Sequence, residues 1–268
     1  MSDPAGAPSD IILSVRGLLH RFGGLLAVNA LDLDVRRGAV HALIGPNGAG
    51  KSTLVNLLSG AMRPTEGRIS FDGTNLVGLP MYRVARAGLA RTFQNGRLFT
   101  RLSVIENVLI GAERRFRASF VGMLVRSPRF RAEERDLTAG AHALLDLLGM
   151  EADADRPVST LPYGKQRKLE IARALILEPR MLLMDEPAAG LNSGEVDGLI
   201  EVIEGLRARG LTILLIEHNM GLVMRLADRI TVLNFGRKIA EGTAGDIVND
   251  EQVIEAYLGR RAAHARLS

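Results

Sequence analysis

Short apolar runs set off by glycine turns recur along the chain and alternate with stretches of helical spacing. From Leu25 to Val35 the pattern is a clean alternation, with Leu31, Leu33 and Val35 against Asp32, Asp34 and Arg36. A period of two marks a strand with one buried face. Ile11 to Val15 reads as another strand of the same kind. Val40 to Ile44, Met181 to Met184 and Leu211 to Ile216 are short, largely apolar runs, as expected of strands buried on both faces. Gly67 to Asp72 reads as a strand closed by the turn Asp72-Gly73. Leu89 to Phe93 and Arg229 to Asn234 are further strands, the second followed by a hairpin at Phe235-Gly236-Arg237. Helical spacing occupies 54–58, stopped by Gly60, and also Pro80 to Ala87, a helix opened by Leu161 to Arg167 and running to about Leu177, Ser193 to Arg209, and two short helices near the end. Strands interleaved with helices predict an α/β fold.

Between Val104 and Met150 the alternation disappears. Ile105, Val108, Leu109, Leu137, Ala141, Leu144, Leu145 and Leu148 keep helical spacing, which predicts an inserted helical subdomain. Its middle carries Arg114, Arg115, Arg117, Arg126, Arg129, Arg131 and Arg135 among Phe116, Phe120 and Phe130. That stretch has two readings, a membrane-surface or partner-docking face and a solvated helix face.

Gly45-Pro46-Asn47-Gly48-Ala49-Gly50-Lys51-Ser52-Thr53 fits the phosphate-binding pattern G-x-x-x-x-G-K-[ST] and sits between a predicted strand and a predicted helix, as that pattern requires. Its glycines let main-chain N–H groups approach phosphate oxygens, and the helix start adds partial positive charge. Lys51 supplies a full charge, and the Ser52 hydroxyl can ligate Mg²⁺. The chain has only four lysines (51, 165, 168 and 238), so its default cation is Arg, and a compact ammonium at 51 suits a phosphate cluster.

Met181 to Met184 ends in Asp185 and Glu186. Ligands of open α/β sheets bind at the carboxyl ends of strands, so Asp185 is placed for Mg²⁺ and Glu186 for polarising an attacking water as general base. The plainer reading of such a pair is a helix cap. His218 lies two residues past the strand Leu211 to Ile216, and the shared sheet edge favours a γ-phosphate contact over the structural role of most lone histidines. Phe22, on the loop Arg21-Phe22-Gly23-Gly24, either stacks on an adenine ring or sits in the core under a turn.

Composition changes this picture little. The chain of 268 residues is 47% hydrophobic and 24% charged, with a formal net charge of +4 and a pI near 9.8. No apolar run approaches the ~18–20 residues of a membrane span. No secretion signal is evident, and residues 1–10 read as a disordered tail. The absence of cysteine excludes disulfides and thiolate metal sites. The basic balance reads as a basic surface plus a nucleotide site. No basic stripe interleaved with aromatics appears, so no nucleic-acid partner is expected.

Six stretches fall in one order: 45–53, Gln94, Leu161 to Gln166, Met181 to Glu186, Ala188 to Asn192, and His218. Together they resemble the ATP-binding subunit of ATP-binding-cassette transporters, over about Ile11 to Gly259. The resemblance implies an α/β P-loop NTPase (RecA-like) core with an antiparallel β subdomain and an inserted α-helical subdomain. The core would take 11–92 and 168–240, the helical subdomain with its signature segment 93–167, and a C-terminal helical extension 241–268. It implies ATP and Mg²⁺ as ligands, with Phe22 against adenine and Gly45, Pro46, Asn47, Gly48, Ala49, Gly50, Lys51, Ser52 and Thr53 around the phosphates. Ser52, Gln94 and Asp185 would serve the metal, Gln94 and Glu186 the water, and His218 the γ-phosphate. Leu161, Pro162, Tyr163, Gly164, Lys165 and Gln166 match the signature that contacts ATP on the opposite subunit, and Ala188, Ala189, Gly190, Leu191 and Asn192 the loop crossing the dimer interface. The usual signature is Leu-Ser-Gly-Gly-Gln, so here a serine hydroxyl is missing; Asn192 replaces the usual Asp, and Phe22 the commoner Tyr.

Arg91-Thr92-Phe93-Gln94, Tyr163-Gly164, Ala188 to Asn192, Ile216 to Met220 and Glu255-Ala256-Tyr257-Leu258-Gly259 are similar to the branched-chain (hydrophobic) amino-acid importers, and the Arg-rich insertion to the larger of their two ATPase subunits. The implied partners are two integral-membrane permeases, a second ATPase subunit or a second copy, and indirectly a periplasmic solute-binding protein. The implied place is the cytoplasmic face of the inner membrane, peripherally bound. Uptake of urea or short amides is the alternative within this family, and a soluble ATPase with no import role is the alternative outside it.

Overall fold

A computed structural model describes residues 10–92, 98–112 and 128–258. The expectations for the N-terminal tail, for Gln94 and for most of the Arg-rich stretch lie outside these residues. Two sheets organise the chain. The first is antiparallel, in the order β2-β1-β4-β5, with β1 at Ile11–Phe22, β2 at Leu25–Arg36, β4 at Glu66–Phe71 and β5 at Thr74–Asn75. The second has the order β10-β9-β3-β8-β7-β6, with β3 at Val40–Ile44, β6 at Leu89–Arg91, β7 at Met181–Asp185, β8 at Thr212–Ile216, β9 at Arg229–Asn234 and β10 at Arg237–Gly242. Its strands run parallel except β10, which pairs antiparallel with β9. All residues of β3, β7 and β8 are buried, as their largely apolar runs require.

β1 runs on past Val15, where the alternation stops, as far as Phe22. Gly17, at φ 54°, and three register shifts beyond Val15 let it bend and keep pairing with β2 through Leu18↔Leu31, His20↔Val28 and Phe22↔Leu25. Bulges of this kind break the period of two, so the extension is hidden from pattern reading. The Asp72-Gly73 turn forms as the dipeptide predicts, with φ 47° and 78°, the left-handed pair that suits a tight hairpin.

Apolar packing covers both faces of the parallel sheet. Leu54 and Leu58 of the helix Lys51–Leu58 join Leu43, Leu183 and Leu214 with the inner face of the antiparallel sheet. On the opposite face, Leu199, Ile203 and Leu206 of the helix Ser193–Ala208 pack on Leu182, Ile213 and Leu215. A separate cluster is built mainly on helices: Val108 from Val104–Gly111, Ala141 and Leu145 from Pro128–Leu147, and Leu169 and Ala172 from Tyr163–Leu175. A fourth gathers Ile44 and Val232 with Ile247 and Val253 from the C-terminal helices Ala244–Val248 and Glu251–Leu258. Ser103 with Glu106, Asn192 with Glu195 and Thr243 with Asp246 form reciprocal capping boxes that fix three helix starts.

His41 is buried in the middle of β3, with its Nε2 2.8 Å from Thr231 Oγ1 on β9. Burial pushes its pKa down to about 4. The unfolded chain holds a histidine proton near pH 6.5, so protonation favours unfolding. Stability from this group is intact above pH 6.5 and declines as the pH falls towards 4, by about 3 kcal/mol in total. Denaturant unfolding between pH 7.5 and 4.5 should show that decline in the wild type. His41→Gln should flatten it by a comparable amount; parallel profiles would contradict the assignment.

Candidate nucleotide-binding site

The carboxyl edge of the parallel sheet collects the groups singled out in the sequence. β3 leads into Gly45 and the phosphate-binding pattern, β8 into Glu217 and His218, and β7 ends at Asp185 with Glu186 following. These strands are neighbours in the order β3-β8-β7. Segments about 150 residues apart along the chain therefore meet because parallel pairing stacks their ends.

Two glycines lock the phosphate-binding loop in place. A Cβ on Gly45 would sit 2.2 Å from the Leu233 carbonyl oxygen, and one on Gly50 2.3 Å from the Ala27 carbonyl oxygen. Gly45, Gly48 and Gly50 all have positive φ, at 151°, 80° and 100°. The loop is thus wedged between β9 and β2 at approaches that any side chain would block. The Gly236 N–H donates to the Ala49 carbonyl at 2.9 Å and ties the β9–β10 turn to the loop. Gly50 caps the helix Lys51–Leu58 without a side-chain hydrogen bond, and its first turn holds no acidic residue. Such a helix start keeps its N–H groups and partial positive charge open to an anion.

Lys51 is buried, and its ammonium donates to the carbonyls of Gly45 at 2.6 Å and Pro46 at 3.0 Å. Burial lowers its pKa, and the charges of Glu186 and then Asp185 act against that fall. Ser52 is exposed on the same first turn. Asp185 is buried, and Arg91 of β6 donates to its Oδ2 at 2.8 Å while also reaching Asn56 Oδ1 at 2.7 Å. Glu186 takes a left-handed backbone, φ 49°, which is costly for a residue with a Cβ. Its N–H is held by the Ile216 carbonyl at 2.9 Å. The His218 Nδ1 lies 4.0 Å from Glu186 Oε1, too far for a hydrogen bond, and the imidazole is 63% exposed. The two side chains stand beside each other without being bonded. Phe22 is 50% exposed, with its ring edge-on to His20 at 4.7 Å. Of its two sequence readings, the buried core aromatic is the one the structure removes.

The signature and crossing segments touch each other within one chain. Asn192 Oδ1 accepts from the Glu195 N–H at 3.0 Å, while Glu195 accepts from the Asn192 N–H through Oε2 at 3.0 Å and from the Gly164 N–H through Oε1 at 3.2 Å. Gly190, at φ 80°, lies against the Tyr163 ring: a Cβ there would come 3.1 Å from it. The Arg167 guanidinium lies over the Tyr163 ring, 4.9 Å from its centre. Lys165 pairs with Asp153, and Gln166 donates to the Leu161 carbonyl at 3.0 Å. Pro162 caps this helix without a side-chain bond.

Two residues with large structural roles here carried no weight in the sequence reading. Arg91 stood only inside a motif, and its partnership with Asp185 depends on β6 pairing with β7. Glu217 is fully buried; its Oε1 accepts from the Ala188 N–H at 2.8 Å, and its Oε2 from the N–H groups of His218 at 3.0 Å and Asn219 at 3.2 Å. It joins the crossing segment to the histidine loop. The available signal was a carboxylate directly after an apolar strand, next to a candidate histidine.

A family model described as "ABC transporter" matches residues 28–189, and one described as "Branched-chain amino acid ATP-binding cassette transporter" matches residues 237–263. The high-affinity branched-chain amino acid transport ATP-binding protein BraF of Pseudomonas aeruginosa is 47% identical, over 92% of this chain and 98% of its own. LivG of Escherichia coli, with the same description, is 46% identical over 94% and 99%. Among solved structures, the ADP conformation of an ATP-binding cassette from an ABC transporter superposes with a TM-score of 0.82 at 31% identity, covering 93% of this chain and 99% of that one. The chain is therefore an ATPase of the ATP-binding-cassette transporter family, in the branch that includes BraF and LivG.

Proposed function

We propose that this chain hydrolyses ATP to power import of branched-chain or other hydrophobic amino acids through two integral-membrane permease subunits. In this reading it acts as one of a pair of cassettes, with a second ATPase subunit or a second copy, at the cytoplasmic face of the membrane. A periplasmic binding protein delivers the solute, and the chain itself never touches it. The supporting observation is the meeting of Lys51, Asp185, Glu186 and His218 at one sheet edge, in a chain 47% identical to BraF along nearly its whole length. Among the described residues no helix is long and apolar enough to cross a membrane, so the permeases must supply the pathway.

The main-chain amides of 45–53 and the helix start receive the phosphates. Lys51 exchanges the Gly45 and Pro46 carbonyls for phosphate oxygens, which suit an ammonium better than neutral carbonyls do. Among the described residues no group of three or more His, Asp or Glu could enclose a metal. The Ser52 hydroxyl and Asp185 carboxylate are hard oxygen donors that fit Mg²⁺ shared with nucleotide and water. Bound there, Mg²⁺ neutralises charge on the transferred group. Glu186 orients the attacking water, His218 holds the γ-phosphate, and Phe22 faces the adenine. Gln94 senses metal and water and couples to the permease.

Leu161 to Gln166 and Ala188 to Asn192 face the nucleotide of the other cassette. With proline at 162 there is no hydroxyl to donate, and Lys165 is engaged by Asp153. The helix start at Tyr163, where Pro162 offers no side-chain cap and the Gly164 N–H donates to Glu195, then carries the signature's attraction for phosphate through its remaining N–H groups.

Glu186→Gln should retain ATP and lower hydrolysis by roughly 10²–10⁴-fold, the span of general-base effects. Ordinary turnover in that variant rules the base assignment out. Lys51→Ala should lose ATP affinity in equilibrium binding. Glu217→Ala leaves three N–H groups without their acceptor and should cost about 3 kcal/mol in denaturant unfolding, with ATPase activity falling as well. In cells deleted for the chain, leucine uptake should fail while urea and acetamide uptake persist. The reverse pattern would reassign the solute.

A further inference from the structure

One guanidinium joins the helix behind the phosphate-binding loop to the last residue of β7. On the helix Lys51–Leu58 and its cap, Ser52, Asn56 and Ser59 stand at i, i+4 and i+7, and so form one stripe. Ser52 heads that stripe, in the first turn after the loop. Asn56 and Ser59 follow it about one and two turns further along. Arg91, the last residue of β6, grips this lower part: its Nη1 donates to Asn56 Oδ1 at 2.7 Å and to Ser59 Oγ at 3.3 Å.

The other terminal nitrogen, Nη2, donates to Asp185 Oδ2 at 2.8 Å. Both side chains are largely shielded from water, with Arg91 13% exposed and Asp185 2%. The backbone of Arg91 is fixed by its strand. It lies opposite Leu183 in the β6–β7 ladder, and the next N–H, of Thr92, donates to the Leu183 carbonyl at 2.9 Å. A guanidinium is planar and holds its donors in set directions. Bonds from its two ends therefore set the separation between the Ser52 stripe and Asp185. Charge balance alone does not call for this arrangement, since a lysine would neutralise Asp185 as well. The grip on Asn56 and Ser59 is the part that neutralisation leaves unexplained.

We propose that Arg91 is a positioning residue for the Mg²⁺ that accompanies ATP: it brackets the helix carrying Ser52 against Asp185, and so presets the spacing of the two oxygen donors assigned to the metal. This rests on the nucleotide reading given above. Arg91 acts through Asn56, Ser59 and Asp185 and not on the nucleotide itself. Its loss therefore acts on the share of the affinity that Mg²⁺ supplies, and spares the share supplied by the loop amides and Lys51.

The full-length chain is titrated with N-methylanthraniloyl-ATP in excess EDTA and again in excess Mg²⁺, and the ratio of the two Kd values is the gain from metal. Asn56→Ala and Arg91→Lys both keep the positive charge beside Asp185, so a change in the ratio reports position rather than charge. Losing one neutral hydrogen bond should cut the gain roughly threefold to tenfold in Asn56→Ala, with the Kd in EDTA within about twofold of wild type. Arg91→Lys, which cannot hold both partners in one plane, should cut the gain at least as much. A purely structural role would lower Tm and raise both Kd values together with the ratio unchanged, and that result overturns the proposal. Wild-type Kd values in both variants overturn it too, as do equal wild-type Kd values with and without Mg²⁺. Lys51→Ala tests the site separately. Weaker binding in EDTA upholds the nucleotide site whatever the other variants do, and unchanged binding removes that site and the proposal with it.

Discussion

Close main-chain contact at two glycines is the constraint on which this molecule depends. Gly45 lies under the Leu233 carbonyl and Gly50 under that of Ala27, each closer than a methyl group allows. These contacts tie the phosphate-binding loop to both sheets at once. The loop's shape is therefore set by the relative placement of β2, β3 and β9, and the packing of Leu43, Leu54 and Leu233 in one cluster holds that placement. Binding energy for a polyanion comes from dipoles fixed beforehand, and here the hydrophobic core fixes them.

Charge at the sheet edge is kept in balance by protein groups. Lys51 rests on two carbonyls, and the Asp185 carboxylate rests on Arg91. Removing either charge from a pair this buried leaves the other short of partners, which is expensive. Each charged group at this edge therefore already has partners in position.

Much of this was legible beforehand because the signals were local. The largely apolar runs became β3, β7 and β8, the Asp72-Gly73 dipeptide became a left-handed turn, and the spacing from Val104 onward became a helical cluster. What escaped was non-local or irregular. β1 reached Phe22 through bulges that erase its periodicity, and Phe22 came out exposed. Arg91 and Glu217 acquired their partners only through strand pairing and loop closure, which a linear pattern does not encode. Asn192 replaces an aspartate of the resembling family and serves as a helix cap, a role either residue fills.

Glu195 joins two helix starts with one carboxylate: its own, through Asn192, and that of Tyr163–Leu175, through Gly164. A tilt of either start carries the other with it as long as these bonds hold. The two starts consequently move together as one stiff wedge.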